Sequence, residues 1–271
     1  MTALRIAFWI DFIRHHDIQH MAEIGVWRGE FAEAILRDCP SVTRYYMIDP
    51  WRHLDNWAKP LNVPQPVFDE AFSEAMSRIA FAADRRVVLR GTTAEMIDEI
   101  ANASLDLAYI DGDHTLRGIA IDLQLTFPKV KRSGFVAGDD FSPTIWQHSL
   151  RHEPTMVFPF AVHFAEAVNR PITALPNNQF LIEKDVDGFA FKDPDGRYAD
   201  TTVRNQIDRM PSWLDDLRAS ARRWLRAWRA ILPRMPRYRR PAPLATRRAP
   251  PSSSGTRSRS RPSPPHGSAH P

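Results

Sequence analysis

The 271-residue chain has one cysteine, Cys39, which excludes an intrachain disulfide and any cysteine-built zinc cluster. A long apolar run is also missing. The N-terminal stretch MTALRIAFWIDFIRHH is interrupted by Asp11, is too short and too charged to span a bilayer, and has no cleavage-site pattern. A cytoplasmic protein is the resulting expectation. No internal repeat is visible. Acidic residues are absent from residues 233–271, where nine Arg and ten of the 23 Pro collect. The formal net charge of +4 therefore belongs to that tail, and residues 1–232, with 27 basic against 32 acidic side chains, carry about −5. What remains is ordinary: 43% hydrophobic and 25% charged residues, enough length for one large α/β domain with appendages.

Leu4, Phe8 and Phe12 recur at i, i+4 and i+8, which predicts an amphipathic N-terminal helix within residues 1–19 that lays this stripe on an edge of the core. Strands and helices then alternate. Strands are expected at 20–25, 44–49, 85–91, 105–111 and 133–139, and helices at 30–39, 67–82, 93–101 and 115–127. Such units predict a doubly wound, mostly parallel sheet with helices on both faces. After a helix at 159–168, PITAL and NQFLIEK are separated only by Pro-Asn-Asn, which predicts a hairpin whose last strand runs antiparallel.

In open parallel sheets, ligands bind where the strands end and the strand order reverses. The first strand ends in EIGVWRG, a Glu-x-Gly-x-x-x-Gly turn containing Glu23, Gly25, Trp27 and Gly29. The dinucleotide fingerprint Gly-x-Gly-x-x-Gly is missing, and Trp27 and Arg28 in the loop argue against close cradling of a phosphate. A cofactor with an adenosine but no phosphate fits better, and that points to S-adenosylmethionine. Gly25 and Gly29 let the backbone pass its methionine part, and Asp49 at the second strand end is placed to accept the ribose hydroxyls. The fourth strand ends in Asp111 and the fifth in Asp139-Asp140, so carboxylates gather along one edge.

Together AEIGVWRGEFAEAIL, YYMIDPW, GTTAEM, LAYIDGDHT, GFVAGDDF and PNNQFLIEK make residues 20–184 resemble a class I S-adenosylmethionine-dependent methyltransferase, with catechol and macrocin-type O-methyltransferases as the subgroup. The resemblance implies a Rossmann-like seven-stranded sheet and an O-methyl transfer to a small hydroxylated acceptor such as a sugar, phenol or polyketide glycoside. It places Thr93 and Ala94 near the adenine pocket, Trp27 beside the methionine part, and Asp111, Asp139 and Asp140 on a divalent cation. Thr93 also reads as a helix N-cap, and Trp27 as core.

Three carboxylates without cysteine form a hard oxygen site suited to Mg²⁺ first, then Mn²⁺ or Ca²⁺. The competing reading is that Asp139-Asp140 caps a loop before a helix around 144–150. Catechol-type relatives carry a lysine base three residues after the strand-four Asp, and the matching position here is His114. Imidazole titrates near neutrality and suits that task. His114 reads equally as the N-cap or first-turn residue of the 115–127 helix, and Asp113 as a turn residue. A metal-free enzyme using His114 alone, or a noncatalytic adaptor on the same fold, are the alternatives.

The domain is bounded at 20–185. A C-terminal extension, 186–232, contains a helix opened by Ser212 and Asp215, with Trp213, Trp224 and Trp228 along one face and arginines elsewhere. It reads as an interfacial helix on an anionic membrane or as a packing helix, including one in a homo-oligomer. The Pro/Arg/Ser-rich tail, 233–271, is expected to be disordered and to contact nucleic acid at most weakly and nonspecifically.

Overall fold

A computed structural model describes residues 3–199 and Thr201. The expected 212–232 helix and the basic tail lie outside the described residues.

The strands are β1 (His20–Ile24), β2 (Arg44–Asp49), β3 (Arg86–Arg90), β4 (Leu105–Ile110), β5 (Val130–Gly138), β6 (Ile172–Leu175), β7 (Gln179–Glu183) and β8 (Phe191–Lys192). They form one sheet in the order β3-β2-β1-β4-β5-β7-β6-β8. The first five pair in parallel, while β7 pairs antiparallel with both β5 and β6. The β6–β7 hairpin turns through Asn177 and Asn178, both with positive φ, a conformation that asparagine adopts more readily than most residues. The strand count is eight rather than seven. After β7 the chain doubles back, and the two-residue β8 pairs in parallel with the free edge of β6.

Alternation along the strands sorts the core into two layers. Ala22, Ile24, Ile48, Ala108, Ile110 and Val136 face α4 (Thr93–Met96), α5 (Leu116–Thr126) and α6 (Val157–Ala167). Met21, Tyr45, Met47, Leu107, Tyr109 and Ala137 face α1 (Ala3–His15), α2 (Glu30–Asp38) and α3 (Gln65–Arg78). Helices on both faces leave little solvent contact for β1 and β4, whose apolar side chains are almost all buried.

Two local expectations are corrected. The buried face of α1 is centred one residue over from the Leu4–Phe8–Phe12 stripe, on Arg5, Trp9 and Ile13; Phe8 and Phe12 pack at its border, and Leu4 does not. Trp9 and Ile13 are fully buried, whereas Leu4 is 76% exposed. A tryptophan decides the rotation because it has the larger area to bury, and its indole N–H donates to Gln179 Oε1 at 3.2 Å. Gln179 in turn donates to the Tyr109 hydroxyl at 2.8 Å, so this buried polar chain is satisfied. The second correction is the helix around 144–150, which is an irregular loop. There the Ser142 and Thr144 hydroxyls accept from the N–H groups of Thr144 and Trp146, two residues on, and such local turns compete with helix formation.

Candidate active site

β1 and β4 are the neighbours at which the strand order reverses, and their C-terminal ends form the crevice expected to bind a ligand. Gly25 closes the β1 end with φ +85°, and its N–H donates to Ile48 O at 2.8 Å. A Cβ on it would stand 2.7 Å from Gly112 Cα and closer still to the Asp111 carbonyl. The β1 and β4 loops therefore touch backbone to backbone, and glycine is required both for its torsion and for its size. Gly29, φ +75°, occupies the N-cap position of α2.

Asp49 has a task within the protein itself. Its Oδ2 accepts from the Val26 and Trp27 N–H groups, both at 2.9 Å, and Oδ1 accepts from Trp51 N–H at 2.7 Å. The carboxylate thus fixes the β1 turn, including Trp27 in its left-handed conformation, in which the ring lies edge-on to Phe68. Trp51 is fully buried and donates its indole N–H to Trp27 O at 2.7 Å. Glu23 is 2% exposed and accepts from the Tyr45 hydroxyl at 2.8 Å. Burial pushes its carboxyl well above the usual carboxylate range, against the pull of Tyr45.

On the β3 side, Thr92 rather than Thr93 caps α4, in a capping box with Glu95. Thr93 instead donates its hydroxyl to Asp122 Oδ1 of α5 at 2.6 Å, and Ala94 follows it in the first turn of α4. Asp122 was not foreseen. Its carboxyl is 5% exposed, its Oδ2 has no hydrogen-bond partner, and burial pushes its pKa up to about 7 despite the Thr93 bond. The folded state then holds a proton that the unfolded chain releases near 3.8, so stability falls as pH rises from about 4 to about 7. Three pKa units correspond to a loss on the order of 4 kcal/mol. Asp122→Asn should flatten that slope, and urea unfolding from pH 4 to pH 8 checks it. Parallel wild-type and variant curves would contradict the assignment.

The carboxylate edge forms at the ends of β4 and β5. Thr115, not His114, caps α5, accepting from Gly118 N–H at 3.1 Å. Asp113 is the turn residue, accepting from Thr115 N–H and from the Trp57 indole N–H, both at 2.9 Å. With the turn so closed, His114 points into the edge. Its Nδ1 lies 2.5 Å from Asp140 Oδ2, while Nε2, buried and without a hydrogen bond, lies 3.4 Å from Asp111 Oδ1. Burial alone would lower the imidazole pKa, but the Asp140 and Asp111 carboxylates outweigh it and raise it to about 10. Conversely, Asp140 is held below its ordinary value by His114 against the effect of its own burial.

Asp111, His114 and Asp140 each offer one ligand atom, and these atoms lie within 4.8 Å of one another. Asp139 is not in this cluster. It is ion-paired with Arg5 of α1, whose guanidinium also reaches Asp111 Oδ2 at 3.4 Å. Of the three expected ligands, two therefore meet at one point, with His114 as the third member.

A roof covers this edge. The loops 51–64 and 141–156 are joined by Lys59, a 5% exposed side chain whose ammonium donates to Glu153 O, Pro154 O and Thr155 Oγ1 at 3.0–3.1 Å. Glu153 returns a pair of bonds to the Ala58 backbone, and Met156 N–H donates to His114 O at 2.8 Å. Nothing in the spacing of Lys59 announces this role. Asp140 has φ +55°, and the next residue, Phe141, is anchored on both sides. Its N–H donates to Asn178 O at 2.7 Å, and its carbonyl accepts from the Tyr198 hydroxyl.

A methyltransferase domain family matches residues 22–141. No curated protein matches the sequence. Among solved structures, a protein described as a candidate caffeoyl-CoA O-methyltransferase from Staphylococcus aureus superposes with TM-score 0.53 at 13% identity, over 67% of this chain and 83% of that one. The cofactor-bound protein Rv0187 from MTB gives 0.51 at 16% identity, over 69% and 82%. SAH-bound PaMTH1, a methyltransferase of Podospora anserina, gives 0.50 at 14%, over 68% and 79%. At these identities the likeness is one of fold. Among the described residues no helix is long and apolar enough to cross a membrane.

Proposed function

We propose that this chain, a class I methyltransferase domain by fold and by the family match over residues 22–141, transfers the methyl group of S-adenosylmethionine to a hydroxyl of a small molecule, with a divalent cation at the carboxylate edge. The observation that carries the reading is the Asp111–His114–Asp140 cluster, which lies directly across the Gly25–Asp111 backbone contact from the β1 turn. A cofactor laid along that turn has its sulfonium end near the only described grouping able to hold a metal ion.

Asp111 and Asp140 would hold the cation, with His114 beside them. The two carboxylates are hard oxygen donors of the kind Mg²⁺ and Mn²⁺ accept, and His114 stands beside them as a base rather than a ligand. A cation held there would supply Lewis acidity toward the acceptor hydroxyl and would offset the carboxylate charge that otherwise keeps His114 protonated. Asp140 orients the imidazole through Nδ1, which leaves Nε2 as the atom that receives the hydroxyl proton. In the transfer, the acceptor oxygen forms the new bond to the methyl carbon and the carbon–sulfur bond breaks. Its electron pair returns to sulfur, so the sulfonium leaves as a thioether. The loops joined by Lys59 would cover the reacting oxygen and select the acceptor, a sugar, phenol or polyketide-type molecule.

Transfer from methyl-labelled S-adenosylmethionine to a panel of hydroxylated small molecules tests this reading. Excess chelator should lower turnover about 100-fold or more while cofactor affinity stays unchanged, since the cation acts on the acceptor oxygen. Turnover that is indifferent to chelator would remove the cation from the mechanism.

A further inference from the structure

We propose that Arg5 of α1 is a built-in competitor for the divalent cation, a guanidinium that occupies Asp139 and Asp111 until the metal displaces it. The inference rests on the cation assigned above to Asp111 and Asp140.

The geometry sets guanidinium and metal against each other. Arg5 bridges Asp139 and Asp111, and Asp111 is one of the three residues whose ligand atoms converge. The pair is shielded, with side-chain exposures of 12% for Arg5, 21% for Asp111 and 13% for Asp139, so solvent screens the charges only weakly. Asp111, Asp139 and Asp140 line this edge; Arg5 pairs with the first two and His114 with Asp111 and Asp140, while Lys59 and His148 act on Asp140 from the roof. A dication beside the resident guanidinium would place like charges within one cluster, which sets the two in competition for Asp111.

Arg5 is also built to leave. Its Nε is buried without a hydrogen bond, so the resting contact does not satisfy the whole guanidinium. The first turn of α1 contains no acidic residue to hold it elsewhere on the helix. The helix itself is fixed farther along, by the fully buried Trp9 and Ile13. The side chain is therefore free to swing out while α1 stays docked. Its departure frees Asp139, which then becomes available as a further oxygen ligand beside Asp111 and Asp140. The resting arrangement and the three-carboxylate set expected at the strand ends are then two states of one site. Arg5 sets the threshold between them.

Calorimetric titration of Mg²⁺ into the full chain, wild type against Arg5→Met, decides the matter, with Arg5→Lys as a charge-retaining second variant. Thermal midpoints with and without Mg²⁺ report the same competition independently of the heats. Arg5→Met should bind Mg²⁺ about tenfold or more tightly than wild type, with Arg5→Lys close to wild type. Mg²⁺ should also raise the midpoint of Arg5→Met by more than that of wild type. Binding by Arg5→Met alone supports the competition and removes the cation from the wild-type mechanism. Equal or weaker binding by Arg5→Met, with wild type still binding, overturns the role of Arg5 and leaves the proposed function standing. No Mg²⁺ binding by any of the three proteins overturns both.

Discussion

His114→Gln is expected to lower kcat by about 10²- to 10⁴-fold, the range over which a positioned general base acts. Affinity for S-adenosylmethionine should be unchanged, because the proposed function puts His114 on the acceptor side and the cofactor along the Gly25–Gly29 turn. Glutamine keeps a polar group near Asp140 Oδ2 but has no basic nitrogen to receive a proton. The loss should therefore appear in kcat rather than in the acceptor KM. The charged surroundings of His114 also set the pH behaviour. In the cation-free protein the two carboxylates hold the imidazole protonated up to about pH 10, so chelated enzyme should stay inactive throughout the neutral range. Steady-state kinetics on the variant, with circular dichroism to confirm folding, checks this. A kcat within about threefold of wild type would assign the proton to another acceptor.

The second large effect is structural. Gly25→Ala should destabilise the domain by about 3–5 kcal/mol and abolish cofactor binding. A left-handed φ of +85° alone costs an L-residue 1–2 kcal/mol, about the lower part of that total. The larger part comes from the new methyl group, which meets the backbone of Asp111 and Gly112 rather than a yielding side chain. Relief requires moving the β4 loop, and with it Asp111 and His114. For a domain of this size, the thermal midpoint should drop by about 10 °C or more. A midpoint near that of wild type would mean that the two loops do not touch as described.

How much of this was legible in the chain follows from how local each signal is. The strand ends were legible because a buried apolar run that stops at a charged residue is a pattern within six or seven positions, as in LDLAYID and GFVAGD. The hairpin followed from Pro-Asn-Asn for the same reason. The rotation of α1 was not legible from the Leu4–Phe8–Phe12 stripe, since two apolar lines one residue apart compete. Tertiary partners decide between them, namely Gln179 and Tyr109 for Trp9 and the carboxylates for Arg5. Arg5, Lys59 and Asp122 went unseen because each acts on partners at least 29 residues away. Burying a charged group against distant partners leaves no trace in periodicity. The carboxylates were found, but their division was not. Asp139 and Asp140 are adjacent, yet the left-handed backbone at Asp140 sends one carboxylate to Arg5 and the other to His114.

The claim that everything else rests on is that the crevice between the β1 and β4 loops holds S-adenosylmethionine. Calorimetric titration of S-adenosylmethionine into the full chain, beside His114→Gln and Gly25→Ala, tests it most directly. Wild type should show saturable one-site binding, His114→Gln equal binding, and Gly25→Ala none. A flat titration of the folded wild-type protein would contradict it and leave a methyltransferase fold put to a noncatalytic use.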